Sequence, residues 1–218
     1  MKITEILKEN KNIDVLMDLV SKIKQNLTKK IPKEQIITID IKSDIIEELK
    51  QKYSENKKIL TGLDYIKDLR IIFDNKNKNA MQNAFYRDKD KTIVLNIAKI
   101  KSNTDLINLK KNNNTTKKIW QTLFHELRHS FQFSEYGEYI KSLKDNDWSQ
   151  RPTEWDALWS DLLYKHNPDY YNNVQDYAET ITKELNDIIK AKYPYKKLPK
   201  DIIKKYMKKS AVYYHKEN

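Results

Sequence analysis

Two of the four histidines in this 218-residue chain, His125 and His129, stand four residues apart in the stretch TLFHELRHSFQF, with Glu126 directly after the first. Side chains at i and i+4 project from the same face of a helix, so the two imidazoles can converge on one cation. Zinc suits such a pair, because neutral imidazole nitrogens are good ligands and a rigid spacing fixes two of the four tetrahedral positions. Glu126 is turned by about 100° from His125 around a helix axis, so it need not ligate. A bound cation brings the pKa of its water towards neutrality, and a carboxylate placed beside that water can take the proton as a polarised carbonyl is attacked. The competing reading is a surface helix whose histidines pair with Glu126 and Gln132.

The element that must carry these residues is a helix over about 116–136. Trp120, Leu123, Leu127 and Phe131 recur at steps of three and four and form its buried stripe. Thr122, His125, His129 and Gln132 are left on a polar strip opposite Leu127. A second helix is expected at about 150–166 from SQRPTEWDALWSDLLY, with Pro152 near its first turn and Trp155, Leu158, Trp159 and Leu162 as its apolar stripe. Glu154 falls in the first turn, off that stripe, on the face of Ala157 and Asp161. A small residue one turn along permits close approach of another helix, which makes Glu154 the expected third ligand.

With HELRH at 125–129 and PTEWDA following, Glu154 twenty-five residues beyond His129, the chain resembles the zincin metallopeptidases, in their gluzincin-like branch. The resemblance spans about residues 84–165 and extends to the small metallopeptidase-like domains of phages and mobile elements. It implies a zincin-like α+β fold and a Zn²⁺ held by His125, His129 and Glu154. It further implies Glu126 as general base for hydrolysis of peptide bonds in a polypeptide substrate, as in an endopeptidase, and TIVLNI as the strand bordering the cleft. Many gluzincins carry an Asp four residues after the ligand glutamate; here Leu158 stands there, Asp156 points to the other side of the helix and Asp161 lies two turns away. The metzincin pattern needs Gly and His where this chain has Gln132 and Glu135. His166 is a rival third ligand, although its place before Asn-Pro suits a helix end better. Candidates for a second oxyanion donor are Tyr136, Tyr139, Tyr164, Tyr170, His166 and Arg151.

Composition narrows the function classes. The absence of cysteine excludes disulfides, cysteine zinc sites, iron–sulfur clusters and thiol nucleophiles, so any metal falls to His, Asp or Glu. Only two glycines, Gly62 and Gly137, argue against phosphate-cradling loops and dinucleotide fingerprints. No segment has the apolar run of a signal peptide or a membrane span, so a soluble, cytoplasmic protein without a membrane partner is expected. The net charge of +11 is concentrated in residues 182–218, which hold eleven lysines against four acidic residues. Such a tail could release counterions from nucleic acid, with Tyr193, Tyr195, Tyr206, Tyr213 and Tyr214 stacking on bases, or engage an acidic protein. The plainer account is a helix that docks Leu198, Ile202, Ile203 and Tyr206 while its lysines meet solvent. A non-catalytic binding protein using this tail is therefore the rival function; for a protease that locates its substrate with the tail, deletion of residues 192–218 should weaken binding but spare cleavage of short peptides.

A single domain over 1–218 is expected, with a helical extension at 1–32 and a basic helical tail at 192–218. Apolar residues at helical spacing, from Ile3, Ile6 and Leu7 through Val15, Leu16, Leu19, Val20, Ile23 and Leu27, predict one or two helices ended by Pro32. QIITIDIK, LRIIFD, AFYR and TIVLNI predict four strands of one small sheet, the last two joined by the turn DKDK. Another helix should start at Asp44, capped with Glu47 three residues on. Beyond an Asn-rich loop after residue 98, helices are expected at about 169–191 and 199–213, giving an all-helical second half.

Overall fold

Along residues 36–41 every second side chain is isoleucine, and the alternation becomes burial: Ile39 and Ile41 are buried while Thr38 and Asp40 face out. The computed structural model describes residues 3–27, 36–41, 45–72, 84–87, 89–96, 114–142, 152–192 and 198–217. Its backbone contacts divide the chain into two compact units, Val15–Ile140 and Met1–Asp14 with Lys141–Asn218. The whole is mixed α+β, mostly helical with a small four-stranded sheet. Among the described residues no helix is long and apolar enough to cross a membrane.

The sheet belongs to the first of these units. Its strands are β1 (Ile36–Asp40), β2 (Asp68–Ile72), β3 (Ala84–Arg87) and β4 (Thr92–Asn96), in the order β1-β2-β4-β3. β1 runs antiparallel to β2, β2 parallel to β4, and β3 antiparallel to β4. Thr92, Ile93, Val94 and Leu95 are all buried, the pattern of a strand covered on both faces. All four expected strands form, but TIVLNI is not a border. β4 is paired on both sides, and β3 is the edge among the described residues, because the β3–β4 hairpin folds back outside the β2–β4 pair. Lys91 closes the hairpin at φ 54°, a left-handed conformation, and its ammonium reaches the Asp64 carbonyl at 3.1 Å.

Helices flank this sheet in sequence: α1 (Ile3–Asn26), α2 (Glu47–Lys52), α3 (Lys57–Leu63) and α4 (Asn114–Ser142). From Val15 onward α1 is part of the core, with Val15, Leu16, Leu19, Val20 and Ile23 buried. Pro32, the proposed Asp44 cap, the Asn-rich loop and the side chains of Ile3, Ile6 and Leu7 lie outside the described residues. Helix α3 was not expected from the periodicity; Asn56 caps it by accepting from the Ile59 N–H at 3.3 Å. Gly62 in α3 explains why the chain keeps a glycine there. A Cβ at that position would stand 2.4 Å from the Phe131 ring of α4, so the absence of a side chain sets how closely the two helices approach.

The second unit contains α5 (Pro152–Lys165), a 3₁₀ turn (Pro168–Tyr170), α6 (Val174–Lys192) and α7 (Lys200–Glu217). Of the predicted stripe of α5, Leu158, Trp159 and Leu162 are buried and Trp155 is only half-buried, while Glu154, Asp156, Ala157, Ser160 and Asp161 are buried as well. Tyr177, Ala178, Ile181, Leu185 and Ile189 give α6 its buried stripe at steps of one to four residues. In α7, Tyr206, Lys209, Ser210 and Tyr213 are buried. Lys209 donates to Asp156 at 2.9 Å with its ammonium over the rings of Trp159 and Tyr206, and the Trp159 indole N–H donates to Ser210 at 3.0 Å. The basic tail is thus a core helix of this unit, not an appendage.

Candidate metal centre

Helix α4 extends further than the predicted 116–136, and its stripe of Trp120, Leu123, Leu127 and Phe131 is buried as expected, joined by Ile119 and Phe124. The opposite strip is not a solvated surface. Gln132 is buried, Arg128 beside it is buried, and His125, Glu126 and His129 are half-buried. Thr122 takes no part, since its hydroxyl donates to the Lys118 carbonyl of its own helix at 2.9 Å.

The two imidazoles meet edge-on, with Nε2 of His129 3.1 Å from Nε2 of His125. Two ligands on one tetrahedral zinc, each about 2.05 Å from it, stand about 3.3 Å apart. On its other side His129 places Nδ1 2.8 Å from Oε1 of Gln132. An amide oxygen only accepts, so Nδ1 carries the proton, and in a neutral ring Nε2 then presents a lone pair towards His125. A histidine whose second nitrogen donates to a carbonyl is oriented as metal-binding histidines are. Gln132 stood on the expected polar strip, but its orienting role was not foreseen.

Glu154 completes a group. One ligand atom from each of His125, His129 and Glu154 lies within 4.8 Å of the others, and the three could hold a metal ion. Burial of a carboxylate is costly unless cations or donors meet it, and a divalent ion shared with two imidazoles is one such charge. The donor set of two nitrogens and one oxygen fits zinc in type and number, with a position to spare for an exogenous ligand.

Glu126 does not point into this cluster as a ligand. Its Oε2 accepts from the backbone N–H of Tyr86 in β3 at 2.9 Å. Sequence reasoning missed this partner, because a main-chain donor leaves no mark in residue type. The Tyr86 hydroxyl donates to the Tyr65 carbonyl at 2.7 Å, and its ring lies 5.4 Å from that of Phe133 on α4.

The other candidates separate by environment. His166 is occupied on both nitrogens, by Glu184 at 2.7 Å on Nε2 and by the Tyr171 hydroxyl at 2.5 Å on Nδ1, so it is neither a third ligand nor a simple helix cap. Burial pushes the Tyr164 hydroxyl up to about 12, which keeps it a proton donor at neutral pH. Tyr170 is 85% exposed. Arg151 and the side chains of Tyr136, Tyr139 and Glu135 lie outside the described residues. Asp156 accepts from Lys209 at 2.9 Å, and Leu158 is buried and offers no acceptor. Of the five tyrosines expected to stack on bases, Tyr206 and Tyr213 are buried and so unable to, Tyr214 is half-buried, and Tyr193 and Tyr195 fall outside the described residues.

Comparison of the chain with protein-family models, curated proteins and solved structures gave no match. The functional reading rests on the chemistry of this cluster.

Proposed function

We propose that the protein is a zinc-dependent metallopeptidase that hydrolyses peptide bonds in a polypeptide substrate, with His125, His129 and Glu154 as the metal ligands and Glu126 as general base. The observation that carries this reading is the opposition of two imidazole Nε2 atoms at 3.1 Å, one of them fixed as a lone pair by the Nδ1 bond to Gln132. Zinc bound there would supply a Lewis acid and lower the pKa of a coordinated water. The chain's own part is to orient and to move protons. Gln132 fixes the His129 tautomer, and Glu126 takes a proton from the attacking water and returns it to the leaving amine. A hydrolytic site needs a carboxylate beside the metal-bound water, and a position directly after the first ligand can supply one. Its retention favours an enzyme over a binding protein.

The test is elemental analysis of protein purified without chelator, beside His129→Ala, Glu154→Ala and Glu126→Gln. About one zinc per chain is expected in the wild type, falling to background in the first two variants and retained in the third. Glu126→Gln should lower turnover of an unfolded protein such as casein by about 10²- to 10⁴-fold. A wild type that takes up no metal after zinc is added back would overturn the reading.

The rival reading, a binding protein for nucleic acid or an acidic partner, draws on Lys200, Lys204 and Lys208, exposed at four-residue steps along α7. With Tyr206 and Tyr213 buried, such binding would draw chiefly on these lysines and fall steeply with salt.

A further inference from the structure

The bond between Tyr86 and Glu126 links a strand edge to the residue proposed as the base. Tyr86 is paired with Ile93 across the antiparallel β3–β4 ladder, yet its N–H goes to Glu126. In such a ladder the N–H and C=O of one residue both turn towards the partner strand, and those of the next both turn away. Tyr86 is therefore at a position that turns away, and its flanking residues Phe85 and Arg87, opposite Val94 and Thr92, carry the ladder. At an edge such outward groups are normally left for water or for another chain. Here the donor is spent on a carboxylate of α4, forty residues further along the sequence.

A glutamate on a helix has three side-chain torsions, and a general base has to be held within a fraction of an ångström to work. A hydrogen bond from a neutral donor to an ionised carboxylate is short and roughly twice as strong as one between neutral groups. Because the donor is main chain, its place is set by the ladder and not by another flexible side chain. Two further contacts of the same residue keep it there, the hydroxyl on the Tyr65 carbonyl and the ring against Phe133. One carboxylate oxygen is held in this way, and the other remains for the proton.

We propose that Tyr86 is a positioning residue of the site, whose backbone N–H, on the side of β3 turned away from β4, fixes one oxygen of Glu126 and thereby aims the base. This rests on the metallopeptidase reading for its purpose, but the bond can be tested without it. A corollary is that a chain lying along β3 finds the Tyr86 donor already taken.

The experiment compares Tyr86→Pro, which deletes the N–H at an outward-facing edge position where proline is tolerated, with Tyr86→Ala, which deletes the ring and hydroxyl but keeps the donor. The full-length, metal-free protein is labelled with ¹⁵N-Tyr and ¹³C-Glu. In the wild type a downfield, exchange-protected Tyr86 amide and a single ordered Glu126 carboxyl signal are expected. Glu126→Ala should shift that amide and remove its protection. The carboxyl signal should persist in Tyr86→Ala and collapse towards that of a solvated glutamate in Tyr86→Pro. An amide indifferent to Glu126→Ala, or a carboxyl signal equally ordered in both Tyr86 variants, would overturn the proposal whatever the enzyme does. With zinc restored and casein as substrate, Tyr86→Pro should show a kcat lower than that of Tyr86→Ala by about tenfold or more at similar KM, since misplacing a catalytic group acts on turnover. Equal kcat values would also overturn it. Zinc bound without any turnover in the wild type, together with the NMR result as expected, would sink the peptidase reading and leave the positioning bond standing.

Discussion

His129 and His166 occupy opposite situations, and the contrast separates a ligand from a structural histidine. Around α5 to α7 a set of polar groups meet their complements: Asp156 meets Lys209, Trp159 meets Ser210, and His166 stands between Glu184 and Tyr171. In α4 two like groups face each other, imidazole against imidazole, while the far side of His129 is fixed by Gln132. A closed network gains most when no member is missing. Two facing ring nitrogens, one of them a fixed acceptor, gain when a cation replaces the proton between them. Histidine spacing alone does not draw this distinction; the partner of the second nitrogen does.

The largest effect should come from opening the closed network at its most buried point. Lys209 is 1% exposed, and removing one partner of a buried pair leaves the other as an uncompensated charge, at a cost of about 3–5 kcal/mol. Lys209→Ala should lose that much stability in urea unfolding, and the double variant Lys209→Met with Asp156→Leu should recover most of it. An unchanged midpoint in the single variant would show that the pair is not a closed unit. The same geometry bears on deletion of residues 192–218, which would take Tyr206, Lys209 and Tyr213 out of the core, so survival of activity in a tail-less protein is not expected.

Next in size, Gln132→Ala should weaken zinc binding by about 10- to 100-fold, as loss of a group that orients a ligand does, with little change in the fold of the metal-free protein. His166→Ala should leave zinc affinity unchanged. If titration with a chelator reversed the two, the contrast between the histidines would be wrong.

Much of this was legible in the sequence, and the failures have physical causes. The four strands and the long helices followed from period-2 and period-3.6 patterns, and the α4 stripe needed no correction. Strand order did not follow, because hairpin adjacency says nothing about which neighbour lies on the other side; yet the unbroken burial of Thr92 to Leu95 is the mark of an interior strand, and the unalternating letters TIVL carried it. Helix α3 is too short for periodicity to register, so only Asn56 as cap announced it. The histidine pair and Glu154 were readable as residue types at a spacing. The Tyr86 N–H was not, since every residue but proline has one. Nor was the role of His166, fixed by a carboxylate eighteen positions away. The burial of Lys209 was not readable either, because charge counts do not say which lysine of a basic helix faces the core.

The smallest effect belongs to the acid side of the His166 network. Burial pushes the Glu184 carboxyl up, but hydrogen bonds and charge from Lys165 and His166 outweigh it and hold the group below its ordinary value. A depressed carboxylate stabilises the fold fully above its unfolded pKa of about 4.3 and loses that contribution as the pH falls through the lower folded value. The Lys165 ammonium and the His166 imidazole face it, with the Tyr171 hydroxyl behind the imidazole. His166→Ala removes one of the two, so it should cost about 1–2 kcal/mol at pH 7. The gap from wild type should then narrow as the pH is taken below about 4 and on through the depressed folded value, beneath which Glu184 is protonated in both proteins and has no charge left to share. Urea unfolding at stepped pH reads the gap directly. A gap that stays constant down to pH 3 would mean that His166 contributes packing alone, and that its two short hydrogen bonds are not what distinguishes it from His129.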